Sequence, residues 1–124
     1  MPRPCAAQAL YGYGKLYKCG LRKSSVPLAE LSAAIDRTAP SMDSQNVSNV
    51  LWAYGALGAA PPPSTFAAVD AAAFRLAPHM TPEGLANTLW AFGTLMKAPS
   101  RETLDALDDA ARDKAEAMDR VGNG

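Results

Sequence analysis

The sequence predicts an all-α fold, a right-handed type of α-solenoid made of about three stacked helix hairpins. Three observations predict it. The chain repeats itself at an interval of 38 residues. Alanine is very frequent and β-branched residues are few, which favours helix over sheet. Ten prolines and nine glycines must then fall mainly at helix ends and turns. A chain of 124 residues supports one domain with a modest core.

The repeat is legible from four methionines. Met42 and Met80 are 38 residues apart, as are Met80 and Met118, and Met1 and Met42 are 41 apart. The first unit therefore spans residues 1–41, the second 42–79 and the third 80–117, and a fourth begins at 118–124. The three extra residues of the first unit fit in the connector YKCGLRKSSVP. Leu10, Leu51 and Leu89 correspond. So do Tyr11, Trp52 and Trp90, then Tyr13, Tyr54 and Phe92, then Gly14, Gly55 and Gly93. In the second half Leu28, Phe66 and Leu104 correspond, as do Leu31, Val69 and Leu107. Asp119 stands where Asp43 and Thr81 stand, at a helix N-cap position. The chain thus reads as a piece of a longer array.

Each unit reads as two helices. The first runs from about Ser44 to Gly58, or from Pro82 to Met96. Thr81 followed by Pro82 is an N-cap followed by proline at the first helical position. Val47, Val50, Leu51, Tyr54 and Leu57 share one broad face. Glycine or proline near 58–63 and at 99 ends this helix. The second runs from Ser64 to Leu76, or from Arg101 to about Ala117. The short connector makes the pair antiparallel. Stacked hairpins bury their apolar faces on each other. Small flanks let the leading helices approach: Gly12, Ala53 and Ala91 on one side, Ala7, Ser48 and Ala86 with Gly14, Gly55 and Gly93 on the other. Glycine within a helix costs about 1 kcal/mol relative to alanine, so its recurrence implies packing or a kink.

Opposite the apolar face lies a stripe at spacing i, i+4, i+7, i+11. It reads Pro4, Gln8, Tyr11, Lys15 in the first unit, Gln45, Asn49, Trp52, Ala56 in the second and Glu83, Asn87, Trp90, Thr94 in the third. Each stripe has an amide one helical turn before a ring: Gln8 before Tyr11, Asn49 before Trp52 and Asn87 before Trp90. Amides pair with base edges, rings stack on bases, and Lys15 suits a phosphate. The same positions suit plainer work. Trp52 and Trp90 can be packing between units, Asn49 and Asn87 can bridge backbones, and Gln45 and Glu83 can favour a helix N-terminus.

Charge and motifs exclude other classes. Net charge is zero, but residues 1–27 carry five bases and no acid, while 80–124 carry eight acids and five bases. That asymmetry fits phosphate contact near the N-terminus and equally a solvated surface. Cys5, Cys19 and His79 do not make a metal set, so no metal or cofactor is expected; the cysteines read as free thiols or one disulfide. YGYGK lies inside a helix by the repeat alignment and lacks the rest of a phosphate-loop fingerprint. No nucleophile–base pair or paired carboxylate is present, so an enzyme with a small-molecule substrate is not expected. Asp105, Asp108, Asp109, Asp113 and Glu116 with Arg112 and Lys114 read as a solvated face. No run approaches the roughly 20 apolar residues of a membrane span.

QNVSNVLWAYGALGAAPPP (45–63) and PEGLANTLWAFGTLMKAP (82–99) resemble the octotricopeptide repeat family, whose unit is a degenerate 38-residue helix pair. Pro61, Pro62, Pro63 and Phe66 are similar to its proline-rich signature, with the glutamate missing and Phe for Trp. The third unit keeps only Pro99 and Leu104, and the first has Gln8 and Tyr11 for Asn and Trp. The resemblance implies an α-solenoid, related to FAST-kinase-like proteins that often carry a RAP domain. It implies sequence-selective binding of single-stranded RNA in a chloroplast or mitochondrion, supporting RNA processing, stability or translation, with other proteins of an RNA-processing complex as further partners. On that reading Gln8, Tyr11, Lys15, Gln45, Asn49, Trp52, Glu83, Asn87 and Trp90 are the candidate RNA-binding residues. The alternative is a protein–protein interaction scaffold of the helical-repeat type.

Overall fold

A computed structural model describes the backbone of residues 5–123 and the side-chain surroundings of 6–115. Among the described residues there are six α-helices: α1 (Cys5–Lys18), α2 (Leu28–Thr38), α3 (Ser44–Leu57), α4 (Pro63–Leu76), α5 (Pro82–Leu95) and α6 (Arg101–Asn123). Short 3₁₀ turns at Lys23–Ser25, Ala39–Ser41 and Ala77–His79 join them. The fold is all-helical, as expected. The first of these turns lies in the connector that carries the three extra residues.

Local chemistry sets the boundaries. Asp43 caps α3, its Oδ1 accepting from the Asn46 amide at 2.8 Å, and Thr81 Oγ1 accepts from the Gly84 amide at 3.0 Å. Pro82 follows Thr81 in the first turn of α5. α3 ends at Gly58, φ 66°, with the Gly58 amide on the Gly55 carbonyl and the Ala59 amide on the Tyr54 carbonyl. This is the Schellman arrangement, which needs a left-handed residue. α5 ends the same way at Met96, φ 57°, the expected end of this helix.

The trailing boundaries follow proline. Pro40 and Pro78 sit in the 3₁₀ turns that close α2 and α4, and Met42 and Met80 after them are extended. The third unit has Glu116 at the equivalent place. Glutamate, unlike proline, leaves the helical hydrogen bonds intact, so α6 continues through Met118 and Asp119 to Asn123. Asp119 is therefore inside a helix and is not the N-cap of a fourth unit.

The helices pack in two layers. α1 lies along α3 and α3 along α5; on the other side α2 lies along α4 and α4 along α6. Leu10, Ile35, Val47, Val50, Leu51, Leu57, Val69 and Leu107 are almost wholly buried in one core cluster. Links between successive pairs repeat at the 38-residue offset. Thr65 Oγ1 donates to the Ser32 carbonyl at 3.4 Å, and Thr103 Oγ1 donates to the Asp70 carbonyl at 3.1 Å. Arg75 Nη2 donates to the Ala39 and Met42 carbonyls, and Lys114 Nζ to that of Pro78, so α4 and α6 both reach back to the turn of the preceding pair.

Candidate nucleic-acid interface

The leading helices approach closely because glycine opens a slot for a ring. A Cβ on Gly14 would stand 3.1 Å from Cζ3 of Trp52 and 3.3 Å from the Ala53 Cα. A Cβ on Gly55 would stand 2.9 Å from Cζ3 of Trp90 and 3.3 Å from the Ala91 Cα. The same glycine thus meets the same aromatic–alanine pair on the next helix at both seams. Packing, not a break, explains the recurrence of glycine, and α1 and α3 run through it. Between these helices Ser48 Oγ lies 3.2 Å from the Gly84 carbonyl, which it donates to, and Ser44 Oγ donates to the His79 carbonyl.

The rings are divided between two environments. One edge of each tryptophan fills a glycine slot, while Trp52 stays partly exposed and Trp90 is 43% exposed. Tyr11 and Trp52 form a tilted pair with centroids 5.2 Å apart. Lys15 Nζ lies 5.3 Å from the Tyr11 centroid and 5.1 Å from that of Trp52, within cation–π range of both. A cation resting on two half-exposed rings was not evident from the stripe alone, since Lys15 and Trp52 lie on different helices.

The polar members fall as follows. Gln8, Gln45 and Glu83 are exposed, and Asn49 and Asn87 are half-buried. Gln45 Nε2 donates to Asn49 Oδ1 at 3.0 Å, which leaves the Asn49 amide hydrogens and the Gln45 carbonyl for an outside partner. Glu83 lies in the first turn of α5. Pro4 lies outside the described residues. The structure therefore joins Tyr11, Lys15 and Trp52 in one cluster and Gln45 with Asn49 in another. Trp90 reaches the neighbouring helix through Gly55.

No family model, curated protein or solved structure matches the chain.

Away from this face the chemistry is structural. Tyr54 and Ser32 share a buried hydroxyl–hydroxyl hydrogen bond. Burial pushes the Tyr54 phenol above its ordinary 10.0; the Asp36 carboxylate pushes the same way and the Ser32 bond opposes it. Sequence reading placed Tyr54 on the apolar face but gave no sign of its partner 22 residues away. The acidic side of α6 is solvated: Asp105, Asp108, Asp109 and Asp113 are exposed, and Arg101 and Arg112 pair along the helix with Asp105 and Asp108. Lys18, Arg22 and Lys23 extend the exposed basic character of the α1 end. Among the described residues no helix is long and apolar enough to cross a membrane.

Proposed function

We propose that the chain is a three-unit α-solenoid of the octotricopeptide repeat kind that binds single-stranded RNA. Its leading helices present the RNA face. The observation that carries this reading is the cluster of Lys15 over the Tyr11 and Trp52 rings, flanked by partly free amides. Stacking on an open aromatic contributes about 1–3 kcal/mol per base and tolerates any base. Amides at one helical turn from each ring add hydrogen bonding to a base edge. Lys15 and the nearby Lys18, Arg22 and Lys23 supply charge for phosphates.

On this reading the bound transcript is chloroplast or mitochondrial, and binding supports its processing, stability or translation. Titration of labelled single-stranded RNA at two salt concentrations, followed by fluorescence anisotropy, tests it. Binding weakens as salt rises, and Asn49→Ala with Asn87→Ala weakens it further. Absence of salt-sensitive binding contradicts it. The second reading, a protein-interaction scaffold, draws on large apolar side chains left open on α5 and α6, including Leu89 and Leu104. A partner retained in a pull-down after nuclease treatment, with no RNA affinity, favours that reading instead.

A further inference from the structure

The connector between α1 and α2 holds the three residues that break the 38-residue repeat, and it places bases beside hydroxyls: Arg22, Lys23, Ser24, Ser25, Val26. The equivalent connector of the second unit, residues 58–62, has neither a charge nor a hydroxyl. Arg22, Lys23, Ser24 and Ser25 are all exposed. Neighbouring units do not cover such a connector: residues 58–62 have a unit on either side, yet Gly58, Ala60 and Pro62 are exposed. The turn also leans toward the unit that follows it, since Lys23 Nζ would stand 3.9 Å from a Cβ on Gly58.

The turn is lightly held. The Ser25 amide donates to the Arg22 carbonyl at 2.9 Å and the Val26 amide to the Lys23 carbonyl at 3.0 Å. No side chain caps it, and none of its three residues is buried. Arg22, ψ 140°, and Val26, ψ 124°, are already extended on either side. Drawing the turn out straight gives up two hydrogen bonds that water replaces, while Val26 stays anchored in the core.

We propose that Ser25 is a phosphorylation site for a serine kinase with an acidic substrate groove. Such a groove takes an extended segment, and its carboxylates pair with Arg22 and Lys23, three and two residues before the acceptor. For Ser24 the same bases stand one place too close. Ser25 Oγ attacks the γ-phosphorus of a nucleoside triphosphate, and the new O–P bond replaces the bond to the β-phosphate oxygen. The hydroxyl proton passes to the kinase's catalytic carboxylate, and the nucleoside diphosphate leaves. The product carries about −1.5 to −2 charge at neutral pH. It stands in a stretch, residues 1–27, that otherwise has bases and no acid. The site itself does not require RNA binding. Its consequence rests on that reading: the phosphate offsets Lys18, Arg22 and Lys23 and weakens the hold on RNA.

Incubating the full chain with MgATP and the catalytic subunit of cyclic-AMP-dependent protein kinase, then mapping peptides by mass spectrometry, tests the site. One phosphoryl group on Ser25 is expected. Ser25→Ala takes up none there, and Ser24→Ala is modified like the wild type. Arg22→Ala lowers the initial rate about tenfold, for the loss of one charge-assisted pair. All three positions are exposed, so circular dichroism remains that of the wild type. An unmodified Ser25 in the full chain overturns the proposal, and so does a rate indifferent to Arg22. A synthetic peptide of residues 19–28 then shows whether the folded turn or its sequence is at fault. Anisotropy with labelled single-stranded RNA reads the consequence: the phosphorylated chain binds more weakly, with a salt slope of smaller magnitude. Equal affinity of the two forms overturns the regulatory effect. Absence of binding by the unmodified chain removes the RNA reading instead, and the phosphorylation read by mass stands.

Discussion

At Gly55 a missing Cβ leaves room for Trp90, and at Gly93 it leaves only solvent. The two glycines occupy equivalent positions in the sequence, so their substitution separates packing from helix propensity. Gly93→Ala, measured at low protein concentration, stabilises by about 1 kcal/mol because alanine is the better helix former and nothing opposes its methyl. Gly55→Leu destabilises by about 1–3 kcal/mol, the range for forcing bulk into a filled site, because the Ala91 backbone must move. Thermal or urea denaturation distinguishes them, and equal effects at both sites contradict the slot. Tyr54 makes a second residue-scale prediction. Its folded-state pKa lies above the ordinary value, so its neutral form contributes stability below about pH 10 that is lost as pH rises through the folded value. The wild type therefore loses stability more steeply above pH 10 than Tyr54→Phe does in parallel denaturation curves. The variant starts lower by about 1 kcal/mol at neutral pH, for the lost bond to Ser32.

At the scale of the helix, boundaries were legible wherever a residue with a fixed backbone preference stands there. Asp43, Thr81 with Pro82, and Gly58 give starts and stops close to those observed. α5 also ends where expected, at Met96, which takes the left-handed conformation that glycine takes at the equivalent Gly58. A methionine there is strained by the clash of its Cβ with the following carbonyl. Met96→Gly accordingly raises stability by about 1 kcal/mol, read as a higher denaturation midpoint; a drop places the end of α5 elsewhere. Repeat alignment puts a helix boundary at Met118, whereas α6 runs on to Asn123. The preceding proline, not the methionine, terminates α2 and α4, and the third unit lacks it. The packing of the leading helices was legible because a recurring glycine in a helix calls for a neighbour. Contacts that join distant positions, such as Thr65 to Ser32 and Lys15 to Trp52, carry no local pattern and needed coordinates.

Across the whole molecule, two layers of helices leave the ring and amide positions of the leading helices at least partly open to solvent. Zero net charge means that any nucleic-acid affinity comes from local placement rather than a global field. Single-stranded binding then shows a shallow salt dependence, with a slope of about −0.7 per phosphate contact, and Lys15→Ala reduces its magnitude by about that amount. The chain has two tryptophans, both on the proposed RNA face, so tryptophan emission excited selectively over the four tyrosines reports on that face. Titrating the protein with an unlabelled single-stranded RNA while following tryptophan emission therefore tests the central claim most directly. Quenching that saturates, and is reversed by salt, is the expected result. Emission unchanged up to RNA concentrations at which anisotropy saturates, or at any concentration if no binding occurs, contradicts base stacking on these rings.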